Sequence, residues 1–338
     1  MILRQRIVTL AVAALLAGPA WAQPAPQLPD TARERPPAGV TEYEVLLGVG
    51  EWAVPGVVTL PAGEGPFPAA VLMHGSGPGT RDLDVGPNKV FREEAWGLAE
   101  RGVAVLRYDK RATVHAAKFR ARGRGATLEE EFTEDGTAAV LLLKSTPRVD
   151  PRRVYVMGHS QSTIMAPAVA HRTDAAGAVL VAASARPAHE LIREQVEYSL
   201  SLQETDSATR ARAQVMLRGV ARMEDAATPD TALILGLPAA YWRSSDPIRG
   251  MREMETMLER GGRALVVHGG RDYLVTDVDF GIWQRRFGGR SGITLRRYAD
   301  LNHLMQPGAG KMTPAEYNER RLVSRDFIRD VAEWIRAQ

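Results

Sequence analysis

Short apolar runs alternate with amphipathic segments along most of the chain. The apolar runs lie at residues 69–73, 103–108, 154–157, 178–182, 264–267 and 293–298. Runs that are apolar at nearly every position are typical of strands buried on both faces. The segments between them have helical spacing and lie at residues 90–101, 128–145, 161–171 and 276–287, with a last helix predicted over 314–337. This alternation predicts an α/β fold with a mostly parallel central sheet covered by helices on both faces.

Two regions of the chain depart from this alternation. Two β-rich runs at residues 41–47 and 52–60, separated by glycines, predict an opening antiparallel hairpin. Residues 186–260 have helical spacing and no convincing strand. We therefore predict a helical cap inserted between two parts of an α/β core, residues 41–185 and 261–338. Such a cap would stand over the carboxyl edge of the strands, where open α/β sheets bind ligands.

The first 22 residues predict a cleavable signal peptide. A positively charged start precedes an apolar run too short to cross a bilayer, and Ala20 and Ala22 mark the expected cleavage site. The mature chain would begin at Gln23 and be secreted or periplasmic, whereas a retained N-terminal anchor is the alternative. Residues 23–40 are rich in proline and charge and predict a disordered leader. No later stretch is apolar enough to cross a membrane.

The amino-acid composition excludes several kinds of functional site. The chain has no cysteine, which excludes disulfides and a thiol nucleophile. Removing the predicted signal peptide takes away two arginines, and the net charge falls from +3 to +1. The basic stretch at residues 118–124 has no aromatic stacking platform beside it, so it favours a solvated loop over a nucleic-acid site. The histidines lack metal-ligand spacing, and we expect neither a metal nor an organic cofactor.

The strongest local pattern is Gly158-His159-Ser160-Gln161-Ser162, which lies between a predicted strand and a predicted helix. Small flanking residues allow a tight turn that lifts a serine side chain above a sheet. The last position is Ser162, where glycine is usual. Ser160 is therefore the candidate nucleophile, and it requires a histidine base and an acid.

When a serine lies at such a turn, the acid and then the histidine follow it along the chain. His303 is the last histidine and lies in a polar turn beyond the last predicted strand. Asp272 follows the strand at 264–267 through a glycine turn. The competing acids are Asp277 and Asp279, which fall within a predicted helix, and Asp300, which is too near His303 to orient it easily. We favour Asp272.

The same chemistry needs backbone donors for a developing oxyanion. The run at 69–73 leads into the glycine turn His74-Gly75-Ser76-Gly77-Pro78-Gly79. The N–H of Ser76 and the N–H of Gln161, directly after the candidate nucleophile, are the predicted donors. Pro78 has no N–H and no helix follows it, which argues against a nucleotide loop.

With these residues the chain resembles the α/β-hydrolase superfamily, and bacterial esterases near the dienelactone hydrolase and acyl-peptidase branches. The resemblance covers roughly residues 41–335. Beyond Ser160, Asp272 and His303, it includes the segments 74–78 with 81–82, 86–89 with 91–92, 107–111, 272–275 and 301–304. Two glycines are usual where this chain has Ser162 and Thr163. The resemblance implies a serine esterase with a helical cap.

We therefore expect cleavage of a small ester through a Ser-His-Asp triad and an acyl-enzyme. The rivals are a peptidase or amidase that uses the same triad and a non-catalytic binding protein on this fold. Within the predicted cap, Tyr198 and Trp242 are the candidate substrate-binding residues, although apolar residues at helical spacing often only pack. The pattern leaves the oligomeric state open.

Overall fold

The computed structural model describes residues 35–48, 50–121, 127–202 and 206–338. The predicted signal peptide and most of the predicted leader lie outside these residues. Twelve strands are present in the described part: β1 (Thr41–Leu47), β2 (Val54–Leu60), β3 (Phe67–Met73), β4 (Asp84–Val85), β5 (Asn88–Lys89), β6 (Ala104–Tyr108), β7 (Val149–His159), β8 (Gly177–Val181), β9 (Leu233–Ile234), β10 (Leu237–Pro238), β11 (Arg263–Gly269) and β12 (Ile293–Tyr298).

Eight of these strands form the central sheet, in the order β1-β2-β6-β3-β7-β8-β11-β12. The first two neighbouring pairs, β1 with β2 and β2 with β6, are antiparallel. The pairs from β6 to β12 are parallel. The predicted α/β fold with a mostly parallel sheet is confirmed, and the opening hairpin is its antiparallel edge.

The helices cover this sheet and stand over one end of it. They are α1 (Val90–Ala99), α2 (Arg111–Val114), α3 (Ala116–Ala121), α4 (Glu134–Ser145), α5 (Ala166–Arg172), α6 (Ala188–Ser201), α7 (Ser207–Glu224), α8 (Ala239–Ser244), α9 (Pro247–Glu259), α10 (Asp277–Phe287) and α11 (Arg325–Arg336). A π-helical turn, Glu129–Thr133, leads directly into α4, and a 3₁₀ turn, Ser160–Ile164, precedes α5.

The sheet separates two hydrophobic cores. Along β3, Ala69, Val71 and Met73 belong to one buried cluster, while Ala70 and Leu72 belong to the other. Side chains alternate between the two faces of a strand, so a strand that is apolar throughout fills both cores. This explains why the central strands appear in the sequence as continuous apolar runs.

Residues 186–260 divide between two packing environments. Helices α6 and α7 enclose a small core of their own, which contains Ile192, Val196 and Met216. Helix α9 instead buries Met251 and Met254 in one of the two sheet cores. Thus α9 packs as part of the helical layer of the sheet, and β9 and β10 add a short ladder where the sequence shows no convincing strand.

The single helix predicted over residues 314–337 is wrong in its first half. Pro314–Asn318 is a 3₁₀ turn, and α11 begins only at Arg325. Between them, the Asn88 amide donates to the Glu319 carbonyl at 2.8 Å and its oxygen accepts from the Arg321 N–H at 2.8 Å. These bonds use backbone groups that a continuous helix needs internally. The Ser324 side chain then caps α11.

In the described part of the chain, none of the helices has the length and apolar character needed to cross a membrane.

Candidate active site

Ser160 lies where β7, a central strand, turns into the 3₁₀ turn that precedes α5. Its φ is +56°, in the left-handed region that non-glycine residues rarely adopt. A Cβ added at Gly158 would lie 3.0 Å from the Cβ of Ala166, so the turn is closely packed. This is the geometry expected of a serine raised above the sheet.

Ser162, which stands where glycine is usual, takes part in the turn. Its hydroxyl accepts from the His159 N–H at 3.0 Å and donates to the Met73 carbonyl at 2.9 Å. Thr163 similarly donates to the Ser160 carbonyl at 2.6 Å. The two hydroxyls therefore hold the turn through hydrogen bonds, and the turn does not need glycine at these positions.

The predicted acid and base lie next to each other in space. Asp272 follows β11, His303 follows β12, and His303 Nδ1 lies 2.6 Å from Asp272 Oδ2. The other oxygen of Asp272 accepts from the N–H groups of Leu274 and Val275, at 2.7 and 3.1 Å. Both side chains are almost fully buried. With Nδ1–H donating to the carboxylate, Nε2 is left as the basic nitrogen.

The competing acids are engaged elsewhere. Asp277 binds Arg297 at 2.6 Å, and Asp279 binds Arg186 at 2.7 Å. Asp300 is exposed, although it lies only three residues before His303 in the chain. Among these candidates Asp272 therefore has the geometry of an orienting acid.

The two predicted oxyanion donors belong to segments that lie next to Ser160. Ser76 and Gln161 line the same cavity as Ser160 and His303. A Cβ added at Gly75 would lie 3.0 Å from the Ser160 Cβ, so the loop that carries Ser76 lies against the candidate nucleophile. The arrangement is able to hold an acyl carbonyl between a hydroxyl and two backbone segments.

Two further histidines of this region are buried. Burial, helped by the positive charge of Lys110, lowers the pKa of His74 to about 3. Burial and the nearby His303 lower the pKa of His159 to about 3 as well. His159 Nε2 lies 2.9 Å from the His303 carbonyl, so its neutral ring donates there and holds the turn that carries the candidate base.

The cavity in front of Ser160 has a volume of about 420 Å³. Its walls come from the loops after β3, β7, β8 and β11, the segment 83–86, helix α6, the end of α8, and the residues 303–304 and 317–318. On α6 the lining residues Ala188, Leu191, Ile192 and Gln195 recur at helical spacing. The cavity therefore lies between the sheet and the insertion.

The two candidate substrate-binding residues have different positions. Trp242 lines the cavity, and its indole N–H donates to the Ile234 carbonyl at 2.9 Å. Tyr198 is not among the residues that line this cavity. Its ring packs against Tyr273, and its hydroxyl donates to the Met312 carbonyl at 3.0 Å. On α6 it lies three residues beyond Gln195, the last lining residue of that helix.

Sequence reasoning missed the contribution of two loops that are distant in the chain. Segment 83–86 and residues 317–318 meet at the cavity wall. Gly86 has φ +55°, and a Cβ there would lie 2.1 Å from the Tyr317 carbonyl oxygen. Only glycine allows this approach, and the Gly86-Pro87-Asn88 sequence was the signal for it. Among the described residues, no group of three or more His, Asp or Glu side chains is arranged to hold a metal ion.

Comparison with known proteins agrees with this architecture. Residues 70–320 match the family described as the alpha/beta hydrolase family. The chain is 38% identical over 285 residues to esterase EstD of Thermotoga maritima, covering 83% of this chain and 65% of that protein. It therefore spans slightly less than two thirds of the length of that relative.

Solved structures show the same fold at low identity. An esterase from Pyrococcus furiosus superimposes with a TM-score of 0.54 at 14% identity, covering 88% of this chain and 91% of that one. Est1E from Butyrivibrio proteoclasticus superimposes with a TM-score of 0.54 at 16% identity, covering 87% of this chain and 99% of that one. Dipeptidyl peptidase 4 from Porphyromonas gingivalis superimposes with a TM-score of 0.52 at 14% identity, covering 88% of this chain but 35% of that one.

Proposed function

Because the chain belongs to the alpha/beta hydrolase family, we propose that it is a secreted serine hydrolase that cleaves carboxylic esters through Ser160, His303 and Asp272. The observation that carries the proposal is the 2.6 Å contact between His303 and Asp272 at a cavity that Ser160 also lines. The similarity to an esterase from Thermotoga maritima supports the choice of ester substrates.

The mechanism is acyl transfer in two steps. His303 Nε2 takes the proton from Ser160 as its oxygen attacks the ester carbonyl, and Asp272 stabilises the imidazolium that forms. The N–H groups of Ser76 and Gln161 stabilise the oxyanion. The alcohol leaves with the proton from His303, and water then attacks the acyl-enzyme by the same route to release the acid.

The chemistry of the cavity favours a neutral substrate. Its two charged lining residues, Asp84 and Arg186, already have partners, Lys89 at 2.6 Å and Asp279 at 2.7 Å respectively. Most of the lining surface is apolar. A small uncharged ester fits this environment better than a substrate whose charge needs a buried counter-ion.

A fluorophosphonate probe and a set of p-nitrophenyl esters of increasing acyl length test the proposal. We expect labelling and ester turnover in the wild type, and neither in Ser160→Ala, whose fold should be intact because the hydroxyl contributes little packing. Ser76→Ala is the matched control, because the proposed donor there is the backbone N–H, and it should label normally. Near-normal hydrolysis by Ser160→Ala would disprove the assignment.

The same assay separates the rivals. Faster turnover of aminoacyl anilides than of esters would identify a peptidase or amidase with the same triad. A protein that neither labels nor turns over any of these substrates would be a binding protein on this fold.

Secretion rests on the first 22 residues alone. The proposal is that they direct export and are removed after Ala22. N-terminal sequencing of the exported protein should then begin at Gln23. A retained Met1 on a membrane-bound product would indicate an anchor instead.

A further inference from the structure

A buried lysine lies behind the loop that carries Ser76. Lys110 follows β6, and its side chain is 2% exposed. Its ammonium donates to the Gly75 carbonyl at 2.8 Å and the Gly77 carbonyl at 2.9 Å, and lies 2.6 Å from Glu131 Oε1. An ammonium has three protons, and each has a partner here.

The same polar chain continues to the other side of Ser160. Tyr241 on α8 donates to Glu131 Oε2 at 2.5 Å, and the side-chain amide of Gln161 lies 3.2 Å from the same hydroxyl oxygen. Glu131 belongs to the π-helical turn before α4, a local irregularity that is frequent at functional sites. Glu131 and Tyr241 are 5% and 3% exposed, so solvent does not compete strongly for these bonds.

From this geometry we propose that Lys110, Glu131 and Tyr241 are positioning residues that hold the two halves of the oxyanion hole in register. The inference rests on the proposed function, because it takes the N–H groups of Ser76 and Gln161 as the oxyanion donors. Lys110 holds the first donor segment, Tyr241 contacts the residue that carries the second, and Glu131 joins the two.

The planarity of the peptide bond gives Lys110 direct control of one donor. The Gly75 carbonyl and the Ser76 N–H belong to the same peptide group, and in a trans peptide they point in opposite directions. An ammonium that fixes the carbonyl on one side therefore fixes the direction of the N–H on the other. The positive charge also polarises the peptide group, which makes the N–H a stronger donor.

The network also connects the insertion to the site. Tyr241 lies next to Trp242, which lines the cavity, and both belong to α8. A displacement of α8 would therefore be transmitted through Glu131 and Lys110 to the loop at Ser76. A structural ion pair alone would affect stability without affecting the stabilisation of a transition state.

The test measures catalysis and stability in the variants Lys110→Met and Tyr241→Phe. Removing one oxyanion donor outright costs about 10²–10³ in kcat. We expect a fall of about 10- to 100-fold for Lys110→Met and a smaller one for Tyr241→Phe, with KM changed less than about threefold. The inhibition constant of a trifluoromethyl ketone, whose adduct places an oxyanion in the same hole, should rise in proportion to the loss in kcat.

Two matched controls separate positioning from packing. Arg111→Met removes a neighbouring buried cation that binds Asp135 at 2.6 Å and is bonded to neither donor segment. Tyr155→Phe removes a buried hydroxyl from β7 away from the cavity. Both controls should keep kcat and inhibitor affinity, even where the melting temperature falls.

Unchanged kcat and inhibitor affinity in folded Lys110→Met would overturn the inference, as would an equal loss in Arg111→Met. If Lys110→Met does not fold, Tyr241→Phe decides, and full activity there overturns the inference. A wild type that labels and turns over esters while the variants match it disproves only the positioning role. A wild type that does neither disproves the proposed function and this inference together.

Discussion

The backbone at Ser160 is strained, and hydrogen bonds from neighbouring residues hold it in this conformation. A non-glycine residue at φ +56° costs on the order of 1–3 kcal/mol and persists only where the surroundings determine it. The hydroxyls of Ser162 and Thr163 do so through bonds to the backbone of His159 and Ser160 in the turn and of Met73 on β3. These two residues therefore replace the conformational freedom of glycine with fixed hydrogen bonds.

The role of Asp272 is testable by its closest analogue. Asp272→Asn keeps the shape but presents an amide N–H to His303 Nδ1, which favours the wrong tautomer. We expect kcat to fall by about 10⁴, the magnitude known for this change in a Ser-His-Asp triad. Steady-state kinetics with a p-nitrophenyl ester measures it. The exposed Asp300, changed to Asn, is the control, and a larger loss there would identify it as the acid.

At this scale the sequence predicted the residues with local signals and missed those without them. Ser160 is marked by its flanking small residues, and Asp272 and His303 by their places just after strands. Lys110 lies in the segment 107–111 that carries the resemblance, but no local pattern gives a role to Lys110, Glu131 or Tyr241, because their partners lie more than 20 residues away in the chain. Only the folded chain brings them together, and local pattern contains no information on that.

At the scale of elements, strand positions were predictable and their ends were not. Continuous apolar runs identify β3 and β11, but β7 extends five residues earlier than its apolar run, across an irregular stretch with charged residues to Val149, which pairs with Phe67. Hydrogen bonding across the sheet, which the apolar pattern does not report, decides where a strand ends. Hydrogen bonding to a distant segment also explains residues 319–324. There the Asn88 side chain bonds backbone groups of Glu319 and Arg321 that the predicted helix would have used internally.

Helix α8 sets the size of the cavity through Trp242. A second cavity of about 260 Å³ lies behind it, and the two share Ala188, Trp242 and Ser245 in their walls. Trp242→Ala should join them and shift the preference towards longer acyl chains, by a factor on the order of ten between decanoyl and acetyl esters. The ratio of kcat/KM values for the two esters measures this.

Tyr198→Ala is the control for Trp242→Ala, because it changes an aromatic residue of the same region that does not line the cavity. It removes the hydrogen bond to Met312 and the contact with Tyr273, so it should lower the free energy of unfolding by about 1–3 kcal/mol and leave the acyl preference unchanged. If Tyr198→Ala altered the preference as strongly as Trp242→Ala, the wall of the cavity would be misassigned.

For the whole molecule, buried titratable groups set the dependence of stability on pH. Burial holds the pKa of His74 and of His159 at about 3, below their unfolded value near 6.5. As the pH falls below 6.5, the unfolded chain binds protons that the folded chain does not, so acid destabilises the fold. This contribution to stability is present above pH 6.5 and is lost between about 6.5 and 3.

Glu94 has the opposite effect on the dependence of stability on pH. Burial, with Glu93 adding repulsion, raises its pKa to about 8, and its Oε2 is buried without a hydrogen-bond partner. Between pH 4.5 and 8 the folded state keeps a proton that the unfolded state loses, so stability falls as the pH rises. Glu94→Gln, which carries no charge, should match the wild type near pH 4.5 and exceed its free energy of unfolding by roughly a few kcal/mol at pH 8. Urea denaturation at several pH values measures the difference, with the exposed Glu64→Gln as control. A constant offset between Glu94→Gln and the wild type across this range would mean that Glu94 is ionised in the fold.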